Sequence, residues 1–219
     1  MSHANQEKAR FNMVEQQVRP WEVLDPRVIR VLHAARRELF VPMAYRHLAY
    51  ADTTLPLGEG AAMLTPKQEA HALQALQLRG GERVLEVGAG SGYMASLLAQ
   101  IAAHVASVEI VPALVVRAKD NLRAAGVDNV AVHEGNGLAG LPGDAPFDAI
   151  MLSGSVGDVP RVLREQLKVG GRLFAIVGDA PAMRAVRITR VAPDAWQTEG
   201  LFETVAPRLI EPARNGFTF

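Results

Sequence analysis

The segment Glu86-Val87-Gly88-Ala89-Gly90-Ser91-Gly92 constrains this chain more than any other. A short β-forming run, Arg83 to Val87, precedes it, and a helix-forming stretch, residues 93–103, follows. Glycines permit positive φ and leave no Cβ to hold a ligand away from the main chain. The N–H groups that open the following helix have no partner inside it, so a turn of this kind suits a ligand. A P-loop is excluded, because no Gly-Lys-Ser/Thr follows. A dinucleotide fingerprint needs glycine or alanine at position 93; Tyr93 stands there, and the third glycine comes one residue early, as Gly92.

Around this loop, strand and helix patterns alternate. Residues 105–110 read as a second strand, 112–125 as a second helix closed by Gly126, and 130–133 as a third strand. Residues 147–152 are almost wholly apolar, as a strand buried on both faces of a parallel sheet must be. A helix over 159–167 and a fifth strand over 172–177 follow; 184–191 and 200–210 read as an antiparallel pair about Pro193. The pattern predicts an α/β fold: a doubly wound, mostly parallel Rossmann-like sheet with helices on both faces. Residues 1–78 differ in texture. Helices over 5–18, from Asp25-Pro26 onward and over 67–78 flank a structured loop at 40–60. They are expected to form an N-terminal helical cap within the same domain, with 79–219 as the core.

Composition narrows the function classes. Lysine plus arginine equals aspartate plus glutamate, 23 each, so no basic excess points to nucleic acid. The absence of cysteine excludes disulfides, thiol nucleophiles and cysteine zinc sites. His3, His33, His47, His71, His104 and His133 show no metal-ligand spacing, and no metal is expected. No signal-peptide core opens the chain and no run is apolar for the length of a membrane span. The expectation is a cytoplasmic protein with no membrane or nucleic-acid partner, monomeric or weakly homo-oligomeric.

The acidic-x-Gly-x-Gly-x-Gly pattern resembles the first motif of class I methyltransferases. That resemblance implies S-adenosylmethionine as cofactor, held by Glu86, Gly88, Ala89, Gly90 and Gly92. It also implies an acid at the end of the second strand for the ribose hydroxyls. Glu109 stands there with Ile110 beside it, about twenty residues past the loop, as in dinucleotide sites. Asn136-Gly137, after the third strand, has two readings: an adenine contact, since an amide both donates and accepts, or a plain Asn-Gly turn. Asp148 reads as a structural cap.

Matches extend along nearly the whole chain. Asn12-Met13-Val14-Glu15-Gln16-Gln17-Val18, Arg37-Glu38-Leu39-Phe40-Val41-Pro42, Tyr50-Ala51-Asp52 and Leu55-Pro56-Leu57-Gly58 come first. Ser91-Gly92-Tyr93, Ala145-Pro146-Phe147-Asp148 and Gln166-Leu167-Lys168-Val169-Gly170-Gly171-Arg172-Leu173 complete the set. Jointly these resemble the protein-L-isoaspartate O-methyltransferases. The resemblance implies methyl transfer to the free carboxylate of isoaspartyl residues in damaged proteins. A carboxylate with a pKa of about 4 is ionised at neutral pH, so no strong general base is required.

Three positions depart from the family's pattern. Leu64 stands where the family has a serine two residues before proline, with Thr65 adjacent as the expected catalytic hydroxyl and Lys67 beyond Pro66. Asn136 replaces an aspartate, and Leu152-Ser153-Gly154-Ser155 replaces a Thr-Ala-Ala run. The alternatives are a relative acting on another substrate, a cofactor-binding module without turnover and, less favoured, an NAD(P) oxidoreductase.

Overall fold

The computed structural model describes residues 3–211. The expected core thus extends, over residues 212–219, outside the described set.

Helix α1 (His3–Met13) runs on into a π-helical segment, Val14–Val18, that buries Val14 and Val18. Helix α2 (Pro26–Ala34) starts as its sequence dictates: Asp25 accepts the Arg27 N–H at 2.8 Å, and Pro26 takes the first position, where a missing N–H costs nothing. Val28, Val31 and Leu32 share its buried face. The stretch expected to be a loop holds a 3-10 segment, Met43–Leu48, and most of a small hairpin, β1 (Leu55–Gly58) with β2 (Ala61–Met63). Helix α3 (Pro66–Leu76) follows, capped by Thr65 and ended by Gln77 at φ +48°.

Next come β3 (Arg83–Val87), α4 (Tyr93–Ala99), β4 (His104–Glu109), α5 (Pro112–Ala124) and β5 (Val130–Glu134). After them are β6 (Phe147–Val156), α6 (Arg161–Glu165), β7 (Leu167–Asp179), β8 (Ala182–Ala192) and β9 (Ala195–Glu203). The seven strands from β3 onward form one sheet in the order β5-β4-β3-β6-β7-β8-β9. Its first five members are parallel, and β8 and β9 add antiparallel. The chain therefore moves outward from β3 in one direction and returns to place β6 on its other side. That reversal opens a crevice at the carboxyl ends of β3 and β6, where ligands of such sheets bind.

Two hydrophobic layers sandwich the sheet. One joins Val84, Val105 and Phe174 to Leu32, Leu73 and Leu76 of the N-terminal region; the other holds Leu85, Ile150, Leu163 and Leu173. Adjacent strand residues such as Val84 and Leu85 face opposite layers, the alternation a pleated strand imposes. Between the first layer and the loop lies Arg37, fully buried. It donates to Glu69 at 3.0 Å, to the Ala49 carbonyl at 2.7 Å and to the Leu64 carbonyl at 2.6 Å.

The carboxyl-terminal region differs from expectation. The last hairpin turns at Pro193 but occupies 182–203, not 184–210. Residues 204–210 leave the ladder and fold back as a strap over the crevice. The Ser155 N–H donates to the Pro207 carbonyl at 2.7 Å, and Leu209 N–H to the Ser155 carbonyl at 2.9 Å. Pro207 lacks an N–H and suits the end of a pairing, not its middle.

Candidate active site

The crevice at the reversal point holds a cavity, where open α/β sheets place their ligands. Its floor is the glycine loop. Gly88 and Gly90 line it with φ of +89° and +52°, a region only glycine enters freely. Glu109, at the end of β4, is almost fully buried and reaches back over the loop. Its carboxylate accepts the Gly90 N–H at 2.8 Å and the Val111 N–H at 3.0 Å. A carboxylate has about four acceptor sites, so two remain for ligand hydroxyls. Ile110 lines the same wall.

Asn136 and Gly137 close the far end. Asn136 Oδ1 accepts the Leu138 N–H at 3.1 Å, capping the 3-10 turn Gly137–Ala139. This satisfies the turn reading and leaves the Asn136 amide nitrogen for a ligand. A Cβ at Gly137 would stand 2.7 Å from Val87, so strand packing itself demands glycine there.

Below the loop lies a second, narrower cavity. Glu86 and Ala89 line this one, together with Met63 and Leu64. Glu86 is fully buried; it accepts from Ser107 at 2.5 Å and from Ser153 at 2.8 Å. Burial pushes its carboxyl up to about 8, against the pull of the two serine hydroxyls, so it is protonated at neutral pH. Glu69 stands at the back. Burial raises it to about 7, with the Arg37 guanidinium opposing. Tyr93, the first residue of α4, packs its ring on Phe40 at 5.5 Å and under Arg37 at 5.3 Å.

Two expected residues sit elsewhere. Gly92 lines neither cavity; a Cβ there would come within 3.2 Å of Ala118 O and Leu122 of α5, so it serves helix packing. Thr65 also lines neither. Its hydroxyl accepts the Gln68 N–H at 3.3 Å while Gln68 returns a bond to the Thr65 N–H at 3.0 Å, a complete capping box. Thr65 faces a separate groove beside Lys67, which pairs with Asp52 at 2.6 Å and stands 4.1 Å from the Trp21 ring centroid. Asp148 takes both Lys168 and the Arg83 N–H, a purely structural position. Among the described residues no three His, Asp or Glu side chains gather as metal ligands.

Sequence reasoning missed three parts of the wall. The hairpin contributes Leu57, Ala61 and Ala62; the strap contributes Pro207 to Ile210; β6 contributes Ser153 and Gly154. Leu209 presses so closely that a Cβ at Gly88 would lie 2.6 Å from its Cδ2, and one at Gly154 2.9 Å. The substitution of Gly154 and Ser155 for two alanines carried a signal. Gly154 makes room for Leu209, and the buried Ser155 hydroxyl donates to the Ala206 carbonyl at 3.2 Å.

Known proteins share this architecture. Residues 8–203 match the family model for protein-L-isoaspartate(D-aspartate) O-methyltransferase. A protein-L-isoaspartate O-methyltransferase from Rhodopseudomonas palustris is 45% identical over 193 residues, covering 88% of this chain and 79% of the relative. One from Methanoculleus marisnigri is 40% identical over 198 residues, covering 90% and 87%. A solved protein-L-isoaspartate O-methyltransferase superposes with a TM-score of 0.79 at 26% identity, covering 94% of this chain and 66% of the other. A Plasmodium falciparum structure of the same description, at 20% identity and TM-score 0.78, shares the fold. With a family match over residues 8–203 and a relative 45% identical over most of both chains, the chain belongs to the protein-L-isoaspartate(D-aspartate) O-methyltransferase family.

Proposed function

We propose that this chain carries out its family's reaction, methylating the free carboxylate of isoaspartyl residues in damaged proteins, in the two cavities that meet over Gly88. It is an S-adenosylmethionine-dependent O-methyltransferase. One observation carries the residue-level reading: Glu109 is fixed by two backbone N–H groups with acceptor sites left over, above glycines that present bare main chain. Donors and acceptors in that cavity fit a nucleoside: Glu109 for ribose hydroxyls, Asn136 for the base and Ile110 for its apolar face. When bound, S-adenosylmethionine supplies an electrophilic methyl group on a sulfonium. The protein's own task is alignment and exclusion of water, because the acceptor is already ionised. Protonated Glu86 suits that task, since it adds no negative charge near an arriving carboxylate.

Zero cysteines and balanced charge support a cytoplasmic enzyme that meets proteins and not nucleic acid, as a monomer or weak homo-oligomer. No helix among the described residues is long and apolar enough to cross a membrane.

Labelled S-adenosylmethionine and paired peptides differing only in an isoaspartyl or aspartyl residue test the function. Label should enter the isoaspartyl peptide alone. Binding of the cofactor with no transfer to that peptide would sink the isoaspartyl assignment and favour another carboxylate acceptor.

A further inference from the structure

The two cavities share five residues: Leu57, Ala62, Gly88, Gly90 and Ser153. Ser153 alone among them has a polar side chain. Nearly every other polar side chain lining the cavities is engaged. Glu109 holds the Gly90 and Val111 N–H groups and Glu69 holds Arg37, while Ser91, which accepts the Tyr93 N–H at 3.3 Å, lines the lower cavity only. Arg208 is paired with Asp179. Asn136 lies at the far end of the upper cavity. Tyr93 Oη is buried without a partner, but Tyr93 lines the lower cavity only. Leu64, in the lower cavity, has no donor at all.

Ser153 sits on β6, half-buried, with Oγ 2.8 Å from Glu86 Oε1. A hydroxyl has one donor and two acceptor sites. When Glu86 carries its proton on Oε1 the Ser153–Glu86 hydrogen bond reverses: the acid donates to Ser153 Oγ across the same 2.8 Å, and the serine proton is freed to point into the junction. Ser107, the other partner of Glu86, is fully enclosed and has no such outlet.

We infer that Ser153 is the hydroxyl that receives the acceptor carboxylate at the junction of the two cavities, a role Leu64 cannot fill from the neighbouring loop. This inference rests on the function proposed above. Ser153 donates to one carboxylate oxygen and fixes the plane of the group, leaving the other oxygen free to attack. No proton changes hands. Protonated Glu86 holds the serine and is a positioning residue.

The test compares Ser153→Ala, Ser153→Thr and Tyr93→Phe with the unaltered enzyme. Calorimetry of isoaspartyl peptide binding, with S-adenosylhomocysteine present so that no turnover occurs, is paired with steady-state kinetics. Ser153→Ala should raise the peptide Kd and KM at least about tenfold, the loss of one hydrogen bond to a charged group. Its S-adenosylhomocysteine affinity should stay unchanged, which also reports an intact fold, and Ser153→Thr should restore peptide binding. Unchanged peptide binding in Ser153→Ala overturns the inference, as does a parallel loss of S-adenosylhomocysteine affinity. So does a peptide defect confined to Tyr93→Phe. An unaltered enzyme that fails to methylate the peptide overturns the proposed function, and this inference with it; the other outcomes leave that function standing.

Discussion

The two cavities are built by different means. Above the glycine loop, function-bearing side chains are held by the backbone of regular elements: Glu109 by Gly90 and Val111, Asn136 by Leu138. Below it, the Leu64–Thr65 approach to α3 is held by a buried ionic knot, with Arg37 gripping the Leu64 carbonyl, the Ala49 carbonyl and Glu69. The first arrangement follows from strand order and tolerates change outside the loop. The second depends on a few desolvated charges, so one substitution there reaches the whole lower wall. Departures from the family pattern fall on both sides, Leu64 below the loop and Asn136 and Gly154 above it, while the glycines of the loop itself stay intact.

The largest effect should come from cutting the knot. Arg37→Met strands Glu69 in the core and should cost about 3–5 kcal/mol in urea unfolding, while Arg37→Met with Glu69→Leu should recover most of it. A loss below about 1 kcal/mol in the single variant would erase the contrast between the cavities. Glu86 offers a pH test. Its folded carboxyl keeps a proton to about 8, whereas the unfolded chain releases it at the ordinary glutamate value. The folded state thus binds more protons in that window, and this contribution is complete at acid pH and drains away as pH rises to about 8. The slope should approach about 1.4 kcal/mol per pH unit at most, visible as a falling Tm that flattens in Glu86→Gln.

Above the loop, Glu109→Ala should weaken S-adenosylmethionine binding by about 1–3 kcal/mol, measured by calorimetry, with little change in peptide KM. An unaltered cofactor affinity would remove the ribose assignment. The smallest effect belongs to Thr65. Loss of its cap in Thr65→Ala should lower stability by about 1 kcal/mol, and Thr65→Ser should restore it. A change confined to peptide KM, with stability intact, would return Thr65 to the acceptor side and blur the contrast.

The upper cavity was legible in the sequence because its parts recur at fixed offsets within one strand–helix–strand unit. Gly88, Gly90 and Glu109 are separated by short, regular elements, so spacing alone implies proximity. Gly92 occupies a motif position, yet a Cβ there would meet α5, a contact between helices that spacing does not encode. Thr65 carries two signals at once. A threonine before proline and three residues before glutamine satisfies a capping box as well as it suggests a catalytic hydroxyl, and the local bond prevailed. The strap was illegible because residues 204–210 resemble the end of a strand. Only their long-range pairing with Ser155 reveals otherwise.

That strap has a consequence for how the site comes into being. Leu57, from the hairpin near the amino end, and Leu209, from the strap, close on the same cavity although most of the sheet separates them in sequence. Contacts of such long range form after local ones, because the chain between must first be ordered. The glycine loop with its strand and helix is therefore not a portable unit: excised, it would keep every motif residue and lose two of its walls. Cofactor affinity in this protein is expected to read out completion of the whole fold.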